Sequence, residues 1–409
     1  MIEKIIPRPR YIQQLKTWSD SKLIKIVMGP RRCGKSFLLH LYREELRASG
    51  VTDEQMLVYD LTRFDSLKFL DPLVLNEDIL KRKAKNGKTY LFIDEVQECR
   101  QFERLLSSLE QENDLDIYVT GSNAYMLSGE LMTYLTGRYI SIEMLPLSFA
   151  EFREAVQDDR NSADMDFNRY LQIGSYPALV PYRNDPQAIE RYYEILIDSM
   201  IYKDIGQRLK MRDPTIVKRL ITVLATTIGS SVSVRRIANT LASVDGRKDV
   251  SAVTVGKYLN ALAECYMFVQ GKRFDVRGNA SLAGWEKYYL ADPGMRDHIA
   301  ATSVRDLGHL LENAVFLELK RRHQQVWVGK VEDTEIDFVC RDGQQTCYVQ
   351  VAASVLEEET LKRELRPFTK LRDRYPCYLL TLDRFGVSRI IDGIKILNVV
   401  DWLLAEDEF

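Results

Sequence analysis

The chain has 409 residues, with 57 Lys and Arg against 59 Asp and Glu and a formal net charge of −2. That balance excludes a polycation that coats nucleic acid, so any nucleic-acid contact has to be a local patch. With 45% hydrophobic and 28% charged residues, the composition excludes a disordered chain and allows about two to four domains, each with its own core.

Met1 to Arg10 lack the apolar centre of a signal peptide, and no apolar run approaches the length of a membrane span. Cys33, Cys99, Cys265, Cys340, Cys347 and Cys377 are scattered without metal-ligand spacing. We therefore expect free thiols in a reducing cytoplasm and no membrane partner.

Pro7 to Arg10 lead into a helix expected over Tyr11 to Trp18, a segment that could lie over a bound base but that sequence alone makes no more than a lead-in. The apolar run ending at Met28 reads as a buried strand. Gly29-Pro30-Arg31-Arg32-Cys33-Gly34-Lys35-Ser36 then fits G-x-x-x-x-G-K-[ST], and Phe37-Leu38-Leu39 opens an amphipathic helix. Strand, glycine loop and helix in this order make an anion cradle, because curled backbone N–H groups and the positive helix end face the same point. Gly29 to Phe37 are thus the candidate nucleotide-binding residues. Lys35 would reach the β- and γ-phosphates of ATP, and Ser36 would ligate Mg²⁺. Arg32 and Lys35 pull the pKa of Cys33 down while burial pushes it up, and the sequence leaves that contest open.

Met56 to Leu61 read as a second buried strand. Thr89 to Asp94, followed by Glu95, read as a third whose acidic end would hold Mg²⁺ through Asp94 and orient the attacking water through Glu95. Asp116 to Asn123 form another strand ending in small polar residues, where Asn123 or Ser122 could sense the γ-phosphate. A helix is expected from Ala124 to Leu135, closed by Thr136-Gly137-Arg138 before a strand over Tyr139 to Met144. A cation at the position of Arg138 can reach a neighbouring subunit's nucleotide as an arginine finger.

Gly29 to Phe149 resemble AAA-type P-loop ATPases, in particular the bacterial and archaeal family in which this module precedes a poorly characterised C-terminal domain. The resemblance rests on Gly29–Ser36, Phe92–Gln97, Thr120–Asn123, Thr136–Arg138 and Leu145–Phe152. Gly174-Ser175-Tyr176-Pro177 resembles the Gly-Gly-x-Pro element of that family's helical lid, with Ser175 in place of the second glycine. It implies ATP and Mg²⁺ as ligands and a ring-shaped homo-oligomer, with a hexamer as the family-type expectation.

From Phe149 to about Lys210 the pattern is helical, with an amphipathic segment over Ile189 to Ile201. Arg191 or Lys203 could supply a second sensor cation. Helices expected over Thr215–Thr227, Ser233–Ala242 and Ser251–Glu264, followed by strands over Tyr266–Phe274 and Trp285–Leu290, make a winged helix. Its third helix, with Thr254, Lys257, Tyr258 and Asn260, would be the recognition helix. Arg235, Arg236, Lys257, Lys272 and Arg273 are the candidate duplex DNA contacts; Arg247, Lys248 and Arg277 add to the basic excess and Asp245, Asp249, Glu264 and Asp275 dilute it.

The remainder reads as a helix over Leu310–Arg321, strands over Val326–Val328, Glu335–Cys340 and Thr346–Ala352, a helix over Glu358–Leu371, and strands over Tyr378–Thr381 and Ile394–Leu397. This order resembles the restriction-endonuclease-like fold, whose metal site implies Glu312, Asp337 and Gln350 as remnant ligands. Ala352 stands where that fold has its lysine, and Lys320 is a possible substitute. Without a cation there, phosphodiester cleavage loses a major term.

The fold class expected is therefore α/β: a P-loop parallel-sheet core (1–148), a helical lid (149–212), a winged helix (213–298) and a degenerate restriction-endonuclease-like domain (299–409). The function expected is ATP binding and hydrolysis coupled to DNA. The alternatives are a Mg²⁺-dependent nuclease and a signalling or scaffold ATPase that binds protein.

Overall fold

A computed structural model describes residues 5–85, 87–127, 134–156, 161–206, 209, 213–244, 250–300 and 306–405. The chain divides into two compact units, residues 1–146 with 264–266 and residues 147–263 with 267–409.

The first unit is built on five strands of mostly apolar sequence. These are β1 (Ile24–Met28), β2 (Met56–Asp60), β3 (Thr89–Asp94), β4 (Leu115–Gly121) and β5 (Tyr139–Glu143), and they pair in the order β2-β3-β4-β1-β5, every pairing parallel. A parallel sheet must be covered on both faces, and continuous apolar runs are what such strands require. Helices α1 (Pro9–Thr17) and α2 (Lys35–Ala48) cover one face, where Tyr11, Leu38, Leu39 and Tyr42 meet Phe92 and Tyr118. Helices α3 (Pro72–Arg82) and α4 (Phe102–Leu109) cover the other, through Leu75, Ile79, Leu105 and Leu106. Asp71 caps α3 by accepting from the Leu73 N–H at 2.9 Å, with Pro72 at the first helical position.

The order of the strands fixes where chemistry can occur. β4 lies between β1 and β3, so the carboxyl ends of all three open at one edge of the sheet, the place where open α/β sheets bind ligands.

The second unit begins with helices α5 (Phe149–Val156), α6 (Ala163–Ile173) and α7 (Pro186–Ser199), the last running into a π-helical turn at Met200–Gly206. Then come α8 (Thr215–Thr226), α9 (Val234–Val244) and α10 (Ala252–Glu264), and the hairpin of β6 (Phe268–Asp275) and β7 (Ala280–Leu290). After α11 (Met295–Ile299) and α12 (Leu307–Arg322) follow β8 (Gln325–Val331), β9 (Thr334–Asp342), β10 (Gln345–Ala352), α13 (Glu358–Leu365), β11 (Cys377–Thr381), β12 (Arg389–Ile391), β13 (Ile394–Asn398) and α14 (Val399–Leu404).

The hairpin does not stand apart. The eight-stranded sheet has the order β12-β13-β11-β10-β9-β8-β6-β7, and β6 pairs in parallel with β8 from Arg273–Val328 to Asp275–Lys330. Phe274 stacks on Trp327 with ring centroids 4.9 Å apart, so apolar contact reinforces the pairing. The borders expected near 212 and 298 both fall inside this unit.

Two further differences have local causes. The helix expected to run to Leu371 ends at Leu365, two residues before Pro367, which has no N–H to continue the ladder. Short β12, a three-residue edge strand, carries no pattern long enough to read. Of the helix expected over Ala124–Leu135, residues 124–127 form a 3₁₀ turn and 128–133 lie outside the described residues, as do Lys210, Asp245, Arg247, Lys248 and Asp249.

Candidate nucleotide site and the C-terminal carboxylate cluster

The phosphate loop leaves β1 at Met28 and enters α2 at Lys35. A Cβ on Gly29 would lie 2.0 Å from the Met144 carbonyl oxygen, so no larger residue fits there without moving β5's exit. Gly34 takes φ +104° at the N-cap of α2, and no side chain caps that helix. Its first-turn N–H groups therefore remain for an anion. Pro30 and Cys33 are buried, Arg31 and Gly34 half-buried, and Arg32, Ser36 and Phe37 exposed.

Lys35 is buried at 4% exposure, and its Nζ donates to the carbonyls of Gly29 (3.0 Å) and Pro30 (2.9 Å). An ammonium folded back on its own loop is held where phosphate oxygens can replace those carbonyls. Across the edge, Lys35 Nζ is 3.9 Å from Glu95 Oε1.

Glu95 follows β3 in a left-handed conformation (φ +50°), which turns its side chain off the strand. Thr120 on β4 fixes the turn: its Oγ1 accepts the Glu95 N–H at 2.8 Å and donates to Asp94 Oδ1. Gln97 Nε2 donates to Glu95 Oε2 and lies 3.5 Å from Ser122 Oγ. Burial raises the Asp94 pKa above the ordinary carboxylate value, while hydrogen bonds from Ser36 and Thr120 pull it down. Asp94 and Ser36 are thus hydrogen-bonded neighbours, two hard oxygen donors of the class that could hold Mg²⁺. Asn123 is half-buried just beyond the end of β4.

Cys33 faces inward, its Sγ 3.5 Å from the Met144 carbonyl oxygen. Burial raises its thiol pKa against the pull of Lys35 and Arg8.

Arg8 is a residue that sequence reasoning missed. At 3% exposure it donates from Nη1 to the Cys33 carbonyl (3.2 Å) and from Nη2 to the Leu145 carbonyl (2.8 Å), and it stands over the Tyr11 ring. It pins the loop from beneath. Its flanking prolines were the sole sign that its backbone is fixed. Thr120 was visible in sequence as a strand end, but its two hydrogen bonds, to the Glu95 N–H and the Asp94 carboxylate, depend on strand order.

Arg138 stands at the entry to β5, where its carbonyl accepts the Ile24 N–H at 3.0 Å. Since β5 runs parallel to β1, the phosphate loop lies one strand length away, ~16 Å. Its guanidinium is half exposed, with Nη1 3.4 Å from Glu110 Oε2. Arg138 is therefore not a member of its own chain's phosphate site.

In the second unit, Arg235, Arg236, Lys257 and Lys272 are exposed on α9, α10 and β6. Arg273 differs: it is half-buried in the β6–β8 pairing, with its Nε shielded. At the hairpin tip, Arg277 donates to the Lys370 carbonyl at 3.3 Å and pairs with Glu332.

Glu312, Asp337 and Gln350 do come together, all at 8–9% exposure. Gln350 Oε1 accepts the Asp337 N–H (3.2 Å), and Asp337 Oδ2 accepts the Val351 N–H (2.8 Å). The cation here is neither at position 352 nor Lys320, which lies more than two turns beyond Glu312 on α12, ~12 Å along the axis. It is Lys287 from β7, whose Nζ is 3.1 Å from Glu312 and 2.6 Å from Glu335. Burial alone would lower the Lys287 pKa, but Glu312, Asp337 and Glu335 together raise it above the usual value. Burial, then the Glu312 charge, push Asp337 well above the carboxylate range. Tyr289 completes the cluster by donating to Glu312 at 2.7 Å. No local motif announces Lys287, because only the joined sheet brings β7 to α12.

Residues 21–153 match the family model described as an AAA domain, and residues 164–306 match a domain of unknown function. The chain is 36% identical over 407 residues to a protein of Haemophilus influenzae described as uncharacterized, covering 99% of this chain and 100% of that one. It is 26% identical over 367 residues to an uncharacterized protein of Methanocaldococcus jannaschii, covering 85% and 78% of the two. Among solved structures, the Walker-type ATPase of Pyrococcus abyssi aligns with a TM-score of 0.47 at 16% identity, covering 73% of this chain and 97% of that one.

Proposed function

We propose, from the premise that this chain belongs to the AAA-type P-loop ATPase family, that it binds Mg²⁺-ATP at residues 29–37, hydrolyses it, and couples that cycle to duplex DNA. The observation that carries the reading is the convergence of Lys35, Asp94 and Glu95 at one sheet edge, with Thr120 hydrogen-bonded to both acidic residues. Lys35 holds the β- and γ-phosphate oxygens in place of the loop carbonyls it now meets. Ser36 and Asp94 would hold Mg²⁺, which would supply charge neutralisation at the phosphates. Glu95 orients the attacking water and takes up its proton, with Asn123 beside it as the sensor.

Arg138 is too far from its own phosphate loop to act in cis, which supports action in trans and hence a homo-oligomer, read as a ring. Arg235, Arg236, Lys257 and Lys272 are the open basic contacts for DNA. In the carboxylate cluster, Lys287 already pairs with Glu312 and Glu335 at the place a nuclease metal would need. We read the C-terminal sheet as a degenerate nuclease fold used for binding or assembly.

The test is ATPase turnover with and without duplex DNA over a salt series. DNA stimulation that fades as salt rises supports the coupling, because phosphate contacts are released by counterions. Turnover indifferent to DNA at low salt rejects the coupling and leaves a protein-regulated ATPase. Loss of turnover in Lys35→Ala is required under either outcome.

A further inference from the structure

We propose that His323, Cys340 and Cys347 form a zinc site that ties the end of α12 to the β9–β10 hairpin. It is independent of the nucleotide and carboxylate sites, and no spacing in the sequence announces it. The metal-binding atoms of the three residues lie within 4.8 Å of one another.

Each ligand is positioned by a different feature. Cys340 and Cys347 are direct partners in the antiparallel β9–β10 register, so their thiols leave the sheet side by side. They are buried at 1% and 7% exposure and are not joined in a disulfide. His323 ends α12, its N–H bonded to the Leu319 carbonyl at 2.8 Å, and its side chain is 8% exposed.

The imidazole carries the second, independent observation. Its Nδ1 is 2.5 Å from Asp342 Oδ2, and Asp342 Oδ1 in turn accepts the Gln324 N–H at 2.6 Å. With Nδ1 engaged by this carboxylate, Nε2 is the ring nitrogen left for a ligand. Nε2 is buried and has no hydrogen-bond partner among the described residues. A buried polar atom without a partner is costly, and coordination to a metal ion resolves it. A carboxylate behind the distal nitrogen is the usual support for a ligating histidine.

Ligand chemistry selects the ion. Two sulfurs and one imidazole nitrogen are soft to borderline donors that suit Zn²⁺ and exclude Mg²⁺ and Ca²⁺. With Zn–S of about 2.3 Å and Zn–N of about 2.0 Å, tetrahedral ligands lie about 3.6–3.8 Å apart, so closing the site takes shifts of about 1 Å at most. On binding, each thiol gives its proton to solvent, and the two thiolates balance the charge of the ion. Three protein ligands leave the fourth position to water or an added ligand.

The experiment measures metal on the full chain purified from zinc-supplemented culture, by elemental analysis, with Co²⁺ titration of the stripped protein as a spectroscopic readout. We expect about one zinc per chain, thiolate-to-cobalt charge-transfer bands, and loss of both in Cys347→Ser. Should Cys347→Ser fail to fold, Asp342→Asn keeps all three ligands and should weaken zinc binding about 10–100-fold. Absence of zinc together with no cobalt bands in the native chain would overturn the proposal. So would zinc retained in folded Cys347→Ser, or a Cys340–Cys347 disulfide in protein purified under reducing conditions.

Discussion

Thr120 shows how one hydroxyl can set two acidic side chains. It accepts from the Glu95 backbone and donates to the Asp94 carboxylate, so it fixes both the direction of Glu95 and the hydrogen bonding of Asp94. Thr120→Val keeps the shape and removes both bonds. Leaving the half-buried Glu95 N–H unpaired costs about 1 kcal/mol. We expect ATP turnover to fall at least about 10-fold while ATP binding persists, as measured by steady-state turnover and nucleotide titration on one preparation. An unchanged turnover would show that Glu95 is held by other means. Lys35, Asp94 and Glu95 were legible from sequence because their chemistry demands fixed neighbours along the chain. Thr120, Arg8 and Lys287 were not, since each acts on a partner that only strand order or burial supplies.

At the scale of elements, the strands of the first unit were legible from their shortness, their mostly apolar sequence and the turn residues that bound them. Lys25 is the exception within β1. It is fully buried against Asp116 on β4, and Tyr118 donates to the same carboxylate at 2.9 Å. Burial lowers the Lys25 pKa against the pull of Asp116. Lys25→Met would strand the Asp116 charge in the sheet and should cost about 3–5 kcal/mol, read by chemical denaturation. Lys25→Met combined with Asp116→Asn should recover much of the loss.

Asp292 does similar work in the second unit. Its Oδ2 accepts from the Ser175 N–H at 2.5 Å and the Ser175 hydroxyl at 2.7 Å, and its Oδ1 accepts from Tyr193 at 2.7 Å. Burial raises its pKa above the unfolded value despite these donors. Its contribution is therefore fully present below the unfolded pKa and lost as pH rises through the folded one. Asp292→Asn does not titrate. The stability penalty of that variant should shrink as pH rises from about 4 toward neutrality, measured by denaturation midpoints. A penalty that grows over that range would reverse the sign.

For the molecule as a whole, the order of α8, α9, α10 and the β6–β7 hairpin could be read locally, but the joining of that hairpin to β8 could not. Pairing between strands far apart in sequence leaves no periodic trace in either. The position of Arg138, one strand length from its own phosphate loop, makes its proposed role a property of the assembly. Arg138→Ala should lower turnover on the order of 10³-fold while sparing ATP binding. Lys35→Ala chains, themselves inactive, should restore activity when mixed with Arg138→Ala chains, because each supplies what the other lacks. Mixed chains that stay silent would remove the trans arrangement.

The central claim is that Glu95 drives hydrolysis of ATP held by Lys35. It is tested most directly by measuring ATP binding and turnover together in the wild type and in Glu95→Gln. Glu95→Gln should bind ATP nearly as the native chain does, with turnover reduced by about 10²-fold or more. Normal turnover in Glu95→Gln, or a wild-type chain that neither binds nor hydrolyses ATP, would contradict it.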